Sequence, residues 1–139
     1  MKIVGLDIGD KWTGVAISDA LQMLARPLKT VGTHDLEHAI SQLIKEEDIL
    51  TFVVGFPKTM RGTESDQTKK LRFQFERLQL HFTSYEWVLL DERLTSKQAA
   101  KIKPAKSAED KRESHSIAAA LILGSYLEYC RIDKEENPE

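Results

Sequence analysis

The sequence predicts an α/β domain in which helices cover a mixed sheet. Three observations carry this. Short β-branched apolar runs recur along the chain, amphipathic segments of helical period separate the later ones, and the first two runs are joined tightly enough to form an antiparallel hairpin. The chain has 139 residues, one domain's worth of polypeptide. Residues 1–131 are expected to form a single domain, and 132–139 a disordered acidic tail. At this length roughly two-thirds of the unfolded surface is buried, so neither disulfides nor metal are needed for folding.

Lys2 to Asp7 is short, apolar and β-branched and reads as a buried strand. Gly9, Asp10 and Lys11 supply turn chemistry, and Thr13 to Ser18 reads as the second strand of the hairpin. A third extended segment is expected over Pro27 to Gly32. From Asp35 to Glu46 the apolar residues Leu36, Ala39, Ile40, Leu43 and Ile44 follow the period of an amphipathic helix. Leu50 to Phe56 is a solid apolar run ended by Pro57, as expected of a strand buried on both faces. Thr63 and Asp66 resemble a capping box, opening a helix whose stripe is Leu71, Phe75, Leu78 and Phe82. Glu86 to Leu90 reads as another buried strand, Thr95 to Ile102 as a short helix, and Ile117 to Cys130 as an alanine-rich final helix.

Composition narrows the function classes. Apolar residues are 41% and charged residues 30% of the chain, ordinary for a soluble protein. No apolar run approaches the ~20 residues of a membrane span, and the N-terminus is not that of a signal peptide. The single cysteine, Cys130, allows no internal disulfide and fits a reducing cytoplasm. The net charge of −2 gives no bias towards nucleic acid. Its distribution is uneven: residues 93–112 have a local balance of +5, and residues 128–139 one of −3. A basic stretch beside an acidic tail is a polyanion footprint or, more plainly, a solvated loop and a frayed end.

Several residues conflict with their local context. Asp7 closes a buried apolar strand, where a carboxylate is costly unless paired or ligated; the plain alternative is a turn cap. Asp91 and Glu92 end the last apolar strand, where open α/β sheets place their sites. Adjacent strand residues point to opposite faces, so one of the two can share a site with Asp7. His115 opens the final helix, on one stripe with Ala118, Ala119 and Ile122; a lone histidine is more often structural than ligating. The loop from Gly55 to Gly62 leads into a helix N-terminus, and with Lys58 and Arg61 it suits phosphate contact. His34, His38 and His81 read as surface residues. Trp12 and Trp87 read as packing residues.

Taken together, GLDIGDKWTGVAISD at 5–19, VVGFPKTMRGTE at 53–64, DERLT at 91–95 and SIAAALILGSYL at 116–127 resemble the YqgF family, also called RuvX. Its members resemble Holliday-junction resolvases of the RuvC type. The resemblance implies an RNase H-like fold with a five-stranded mixed sheet whose second strand is antiparallel. It also implies a cytoplasmic, divalent-metal nuclease acting on the 5′ end of pre-16S ribosomal RNA, with branched-DNA resolution as the rival family proposal. By the same resemblance Asp7, Glu92 or Asp91, and His115 are the catalytic and metal-binding positions, with Glu92 preferred over Asp91. His115 stands where the family has an aspartate, Trp12 where a basic residue is common, and Arg61 where an acid is common.

Two hard cations about 4 Å apart can activate a water and stabilise the leaving oxygen of a phosphodiester. Mg²⁺ prefers oxygen ligands. Imidazole at position 115 leaves such a site one negative charge short and shifts it towards softer ions, so Mn²⁺ is expected to serve better than Mg²⁺. Lys11, Lys58, Arg61, Arg93, Lys97, Lys101, Lys103 and Lys106 are the expected nucleic-acid contacts, positioning phosphates without reading sequence. The partner is precursor ribosomal RNA or branched DNA, with no membrane, and the chain is expected to be a monomer or weak homodimer.

Three rival classes remain. The Asp7 hairpin also resembles the phosphate hairpin of actin-like ATPases and sugar kinases, but those bind ATP between two such domains. His115 and Arg61 also suit a non-catalytic RNA- or partner-binding domain. Junction resolution requires a dimer presenting two sites to symmetric strands.

Overall fold

The computed structural model of the chain describes residues 1–56, 66–91 and 108–136. The elements in order are β1 (Lys2–Ile8), β2 (Trp12–Ser18), β3 (Ala25–Gly32), a 3-10 turn (Thr33–Asp35), α1 (Leu36–Glu46), β4 (Ile49–Phe56), α2 (Asp66–His81), β5 (Glu86–Asp91) and α3 (Ala108–Glu136). The helix expected over Thr95–Ile102, the helix start at Thr63 and the tip of the Gly55–Gly62 loop lie outside the described residues.

The five strands form one sheet in the order β3-β2-β1-β4-β5. β2 is antiparallel to both of its neighbours, while β1, β4 and β5 pair in parallel. β1 is therefore central. Pro27, which lacks a backbone donor, is tolerated because β3 is an edge strand. β5 forms the other edge. That corrects its reading as a fully buried strand: Trp87 is buried, but Leu89 is 40% exposed. A register shift between Lys2 and Ile3 interrupts the β1–β4 ladder. The buried Ser18 hydroxyl accepts the Ile3 N–H at 2.8 Å, so the bulge leaves no orphaned donor there.

The two sheet faces carry separate cores. On one, Val4, Leu6, Val15, Ile17, Phe52 and Val54 meet Leu36, Ile40 and Leu43 of α1 and Leu71, Phe75 and Leu78 of α2. Trp87 stacks on Phe52 with ring centroids 4.6 Å apart, and its indole N–H donates to the Phe82 carbonyl at 3.0 Å. The turn after α2 is thus pinned to the sheet. On the other face, Ile3, Ala16 and Val53 meet Ala119, Ile122, Leu123 and Leu127 of α3.

α3 is longer than the helix expected over Ile117–Cys130. It begins at Ala108, so His115 lies about two turns inside it rather than opening it. It also continues to Glu136, past Arg131, where the folded part was expected to end. Both extensions are charged, and an apolar period does not reveal them. Lys134, Glu135 and Glu136 are nevertheless good helix formers.

α3 lies very close to the sheet because two glycines face it. A Cβ on Gly5 would stand 2.7 Å from the Leu123 Cβ and 2.8 Å from the Ala119 carbonyl oxygen. A Cβ on Gly14 would overlap the carbonyl of His115. Gly14→Ala should therefore force α3 off the sheet and destabilise the fold by about 1–3 kcal/mol or more. Urea denaturation checks this; an unchanged midpoint would show that the helix yields freely.

The β2–β3 turn is held by Asp19, whose Oδ1 accepts the N–H groups of Met23 at 2.7 Å and Leu24 at 3.0 Å. The Leu24 and Met23 amides hold this carboxyl below its ordinary value of 3.8. A depressed carboxyl contributes stability above its unfolded-state value and loses it as pH falls through the lower folded-state value. The melting temperatures of the parent and Asp19→Asn should accordingly converge on acidification below pH 3.8. A constant gap between them would remove Asp19 from the acid response.

Candidate active site

Strand alternation places Asp7 against α3. Ile3 packs in the α3 cluster and Gly5 touches Ala119 and Leu123, whereas Val4 and Leu6 belong to the opposite core. Asp7 follows Gly5 on the α3 face by the two-residue period of a strand. Its register partner on β2 is Gly14, the residue on which the His115 carbonyl rests. His115 lies one helical turn before Ala119, which is fully buried against the sheet. Its ring is thus delivered to the carboxyl end of β1, and His115 Nδ1 is 3.8 Å from Asp7 Oδ2. The side chains are 32% and 25% exposed, so both remain reachable from solvent.

A tie between two loops fixes the end of β1. The Thr33 hydroxyl donates to the Gly9 carbonyl at 2.7 Å, and the hydroxyls of Thr33 and Thr13 are 3.0 Å apart. Since the Thr33 proton is directed to Gly9, Thr13 is the donor in the second contact. The Thr33 N–H donates to the Lys11 carbonyl and the Gly9 N–H to the Trp12 carbonyl, both at 2.9 Å. The β1–β2 turn is therefore anchored to the start of the 3-10 turn, beside Asp7.

Asp7 and His115 open onto a cleft of about 770 Å³. Its walls also include Asp10 and Thr33 from the hairpin side, Gly55 from β4, and Lys69, Lys70, Phe73 and Gln74 from α2. Acidic and basic side chains therefore face one cleft, an arrangement suited to a cation together with a polyanion. Sequence reading missed the α2 contribution. Its signal was a pair of lysines and an aromatic residue off the apolar stripe of that helix.

The expected site residues fall into three groups. Asp7 and His115 come together. Lys11 is exposed in the hairpin turn, while its neighbour Asp10 lines the cleft. Asp91 ends β5, its backbone in register with Phe56 of β4. Glu92, Lys58, Arg61, Arg93, Lys97, Lys101, Lys103 and Lys106 lie outside the described residues.

A carboxylate and an imidazole are each donors that divalent cations accept. On an octahedral ion with ligands at about 2.1 Å, adjacent donors lie about 3.0 Å apart and opposite ones about 4.2 Å. The observed 3.8 Å falls between the two, so one side chain would have to shift for the pair to share such an ion. Among the described residues no third His, Cys, Asp or Glu joins them as a metal cluster. Also among the described residues, no helix is long and apolar enough to cross a membrane.

The family model described as RuvX, Holliday junction resolvase, matches residues 1–129. A relative from Rubrobacter xylanophilus is 34% identical, the match covering 91% of this chain and 92% of that one. One from Thermoanaerobacter pseudethanolicus is 39% identical over 92% and 96% of the two chains. Both carry the name "Putative pre-16S rRNA nuclease". Among solved structures, Thermus thermophilus RuvC in complex with a Holliday junction substrate aligns with a TM-score of 0.63 at 15% identity, covering 95% of this chain and 96% of that one. The fowlpox virus Holliday junction resolvase aligns at 0.53 and 18% identity, over 94% and 99%. These two likenesses establish the RuvC-type, RNase H-like fold. With the family model spanning nearly the whole chain, and relatives above 30% identity along nine-tenths of it, the chain belongs to the RuvX family.

Proposed function

We propose that the chain is a divalent-metal-dependent endonuclease that hydrolyses phosphodiester bonds in the cytoplasm, acting in the 5′-end processing of pre-16S ribosomal RNA. The observation that carries this reading is the pairing of Asp7 with His115 at 3.8 Å, at the carboxyl end of the central strand. That is where an open α/β sheet leaves room for a ligand. The names of the relatives support pre-16S ribosomal RNA as the substrate.

In this reading Asp7 and His115 hold the cation, joined by Glu92 or Asp91 from the end of the fifth strand. Glu92 is preferred over Asp91 by analogy with RuvC-type enzymes. A divalent ion bound there supplies activation of a water and stabilisation of the leaving oxygen. The protein's part is to hold the phosphate in line. Lys69 and Lys70 line the same cleft as Asp7. The basic stretch of Arg93, Lys97, Lys101, Lys103 and Lys106, with Lys11, Lys58 and Arg61, leads the backbone towards it.

A second reading is resolution of branched DNA, favoured by the likeness to RuvC bound to a junction. It requires a dimer, so a strict monomer by light scattering argues against it.

Cleavage of precursor ribosomal RNA with Mn²⁺ tests the main proposal. Asp7→Asn should lose at least about 100-fold in activity, since even a partner one shell out from a metal is worth 10–100-fold. No metal-dependent product from the parent in any condition would favour a non-catalytic binding domain. The histidine makes a separate claim. His115→Asp adds a hard oxygen ligand and a negative charge, so it should raise Mg²⁺-supported activity about 10-fold relative to Mn²⁺. An unchanged metal preference would place His115 outside the ligand sphere.

A further inference from the structure

We propose that the outer face of α2 continues the substrate path away from the metal pair, with Phe73 as a stacking platform for an unpaired base and Lys69, Lys70 and Arg77 as phosphate contacts on either side of it. This deepens the nuclease reading and rests on it.

The inner face of α2 is accounted for by Leu71, Phe75 and Leu78, which are buried in the core. Phe73 is off that stripe and 67% exposed. A large apolar ring left in solvent is informative when polar groups surround it, and here it stands in the cleft with Lys69, Lys70 and Asp7. The same ring also lines a second depression, of about 410 Å³, with Glu76, Arg77, Leu80 and His81. Phe73 is therefore the ridge between the cleft and the depression beyond it.

Helical spacing aligns the charges with this ridge. Lys69, Phe73 and Arg77 are four residues apart and share one face over about 12 Å of helix. Arg77 is held by Glu37 of α1 through Nε at 2.9 Å, and its side chain remains 63% exposed. That contact uses one of the five donors of the guanidinium fork. A cation, an aromatic face and a cation in sequence match a single strand, in which phosphates flank a base able to leave its stack. A duplex keeps its base faces covered and offers Phe73 nothing. The stacking itself is tolerant of sequence because every base has a π-face.

Binding of a short single-stranded RNA carrying 2-aminopurine, measured without metal on the full chain, tests the path independently of catalysis. Phe73→Ala should weaken binding about 5- to 150-fold, while Phe73→Trp retains it and quenches the probe. Phe73→Leu, which keeps an apolar side chain but no π-face, should behave like Phe73→Ala. Affinity for duplex RNA should not change. Arg77→Gln should reduce the slope of log affinity against log salt by about 0.7. Single-strand affinity unchanged in Phe73→Ala, or fully retained in Phe73→Leu, would overturn the stacking role. A parent that binds through Phe73 yet cleaves nothing upholds the path and sinks the nuclease reading. A parent that cleaves, with Phe73→Ala equal to it in kcat/KM and affinity, sinks the path alone.

Discussion

The near-contact between the backbone of α3 and two glycines of the sheet is the constraint on which the site depends. Gly5 and Gly14 lie on neighbouring strands and face the same helix, with no side chain between. The helix axis can therefore come closer than ordinary side chains permit, and the His115 carbonyl rests directly on Gly14. Asp7 is in register with that glycine. The 3.8 Å between Asp7 and His115 thus follows from packing. No hydrogen bond between the two side chains is required to hold it.

The opposite face of the sheet supplies the stiffness this arrangement needs. Phe52, Trp87 and Phe75 interlock beneath the parallel strands, and α1 and α2 close over them. Burial of an aromatic cluster on one face fixes the sheet, so the close approach on the other is made to a rigid surface. The Thr13–Thr33–Gly9 chain completes the support by tying the hairpin turn to the following segment. Each part is distant in sequence from His115, yet each limits where its ring can go.

Charge is arranged on the same plan. The net charge of −2 conceals unlike parts. Asp7 and Asp10 stand on the hairpin side of the cleft, and Lys69 and Lys70 on α2 across from them. Acidic and basic side chains thus share one cleft. The whole-chain balance is then close to zero.

The five strands and the three described helices were legible in the sequence, because period-two and period-3.6 patterns report which face each element buries. Asp7 was legible as a carboxylate ending an apolar strand, a conflict that burial alone does not resolve. The charged ends of α3 were not, since they have no apolar period, and neither was the edge position of β5, which strand composition does not encode. The sequence by itself determined the class of fold, the family and a set of candidate site residues. Only the tertiary structure decided which of them meet. His115 reaches Asp7 because two glycines let a helix lie on the sheet, and Phe73 joins the cleft because α2 turns that residue away from its core. Both outcomes depend on contacts between segments far apart in the chain, which local periodicity does not specify.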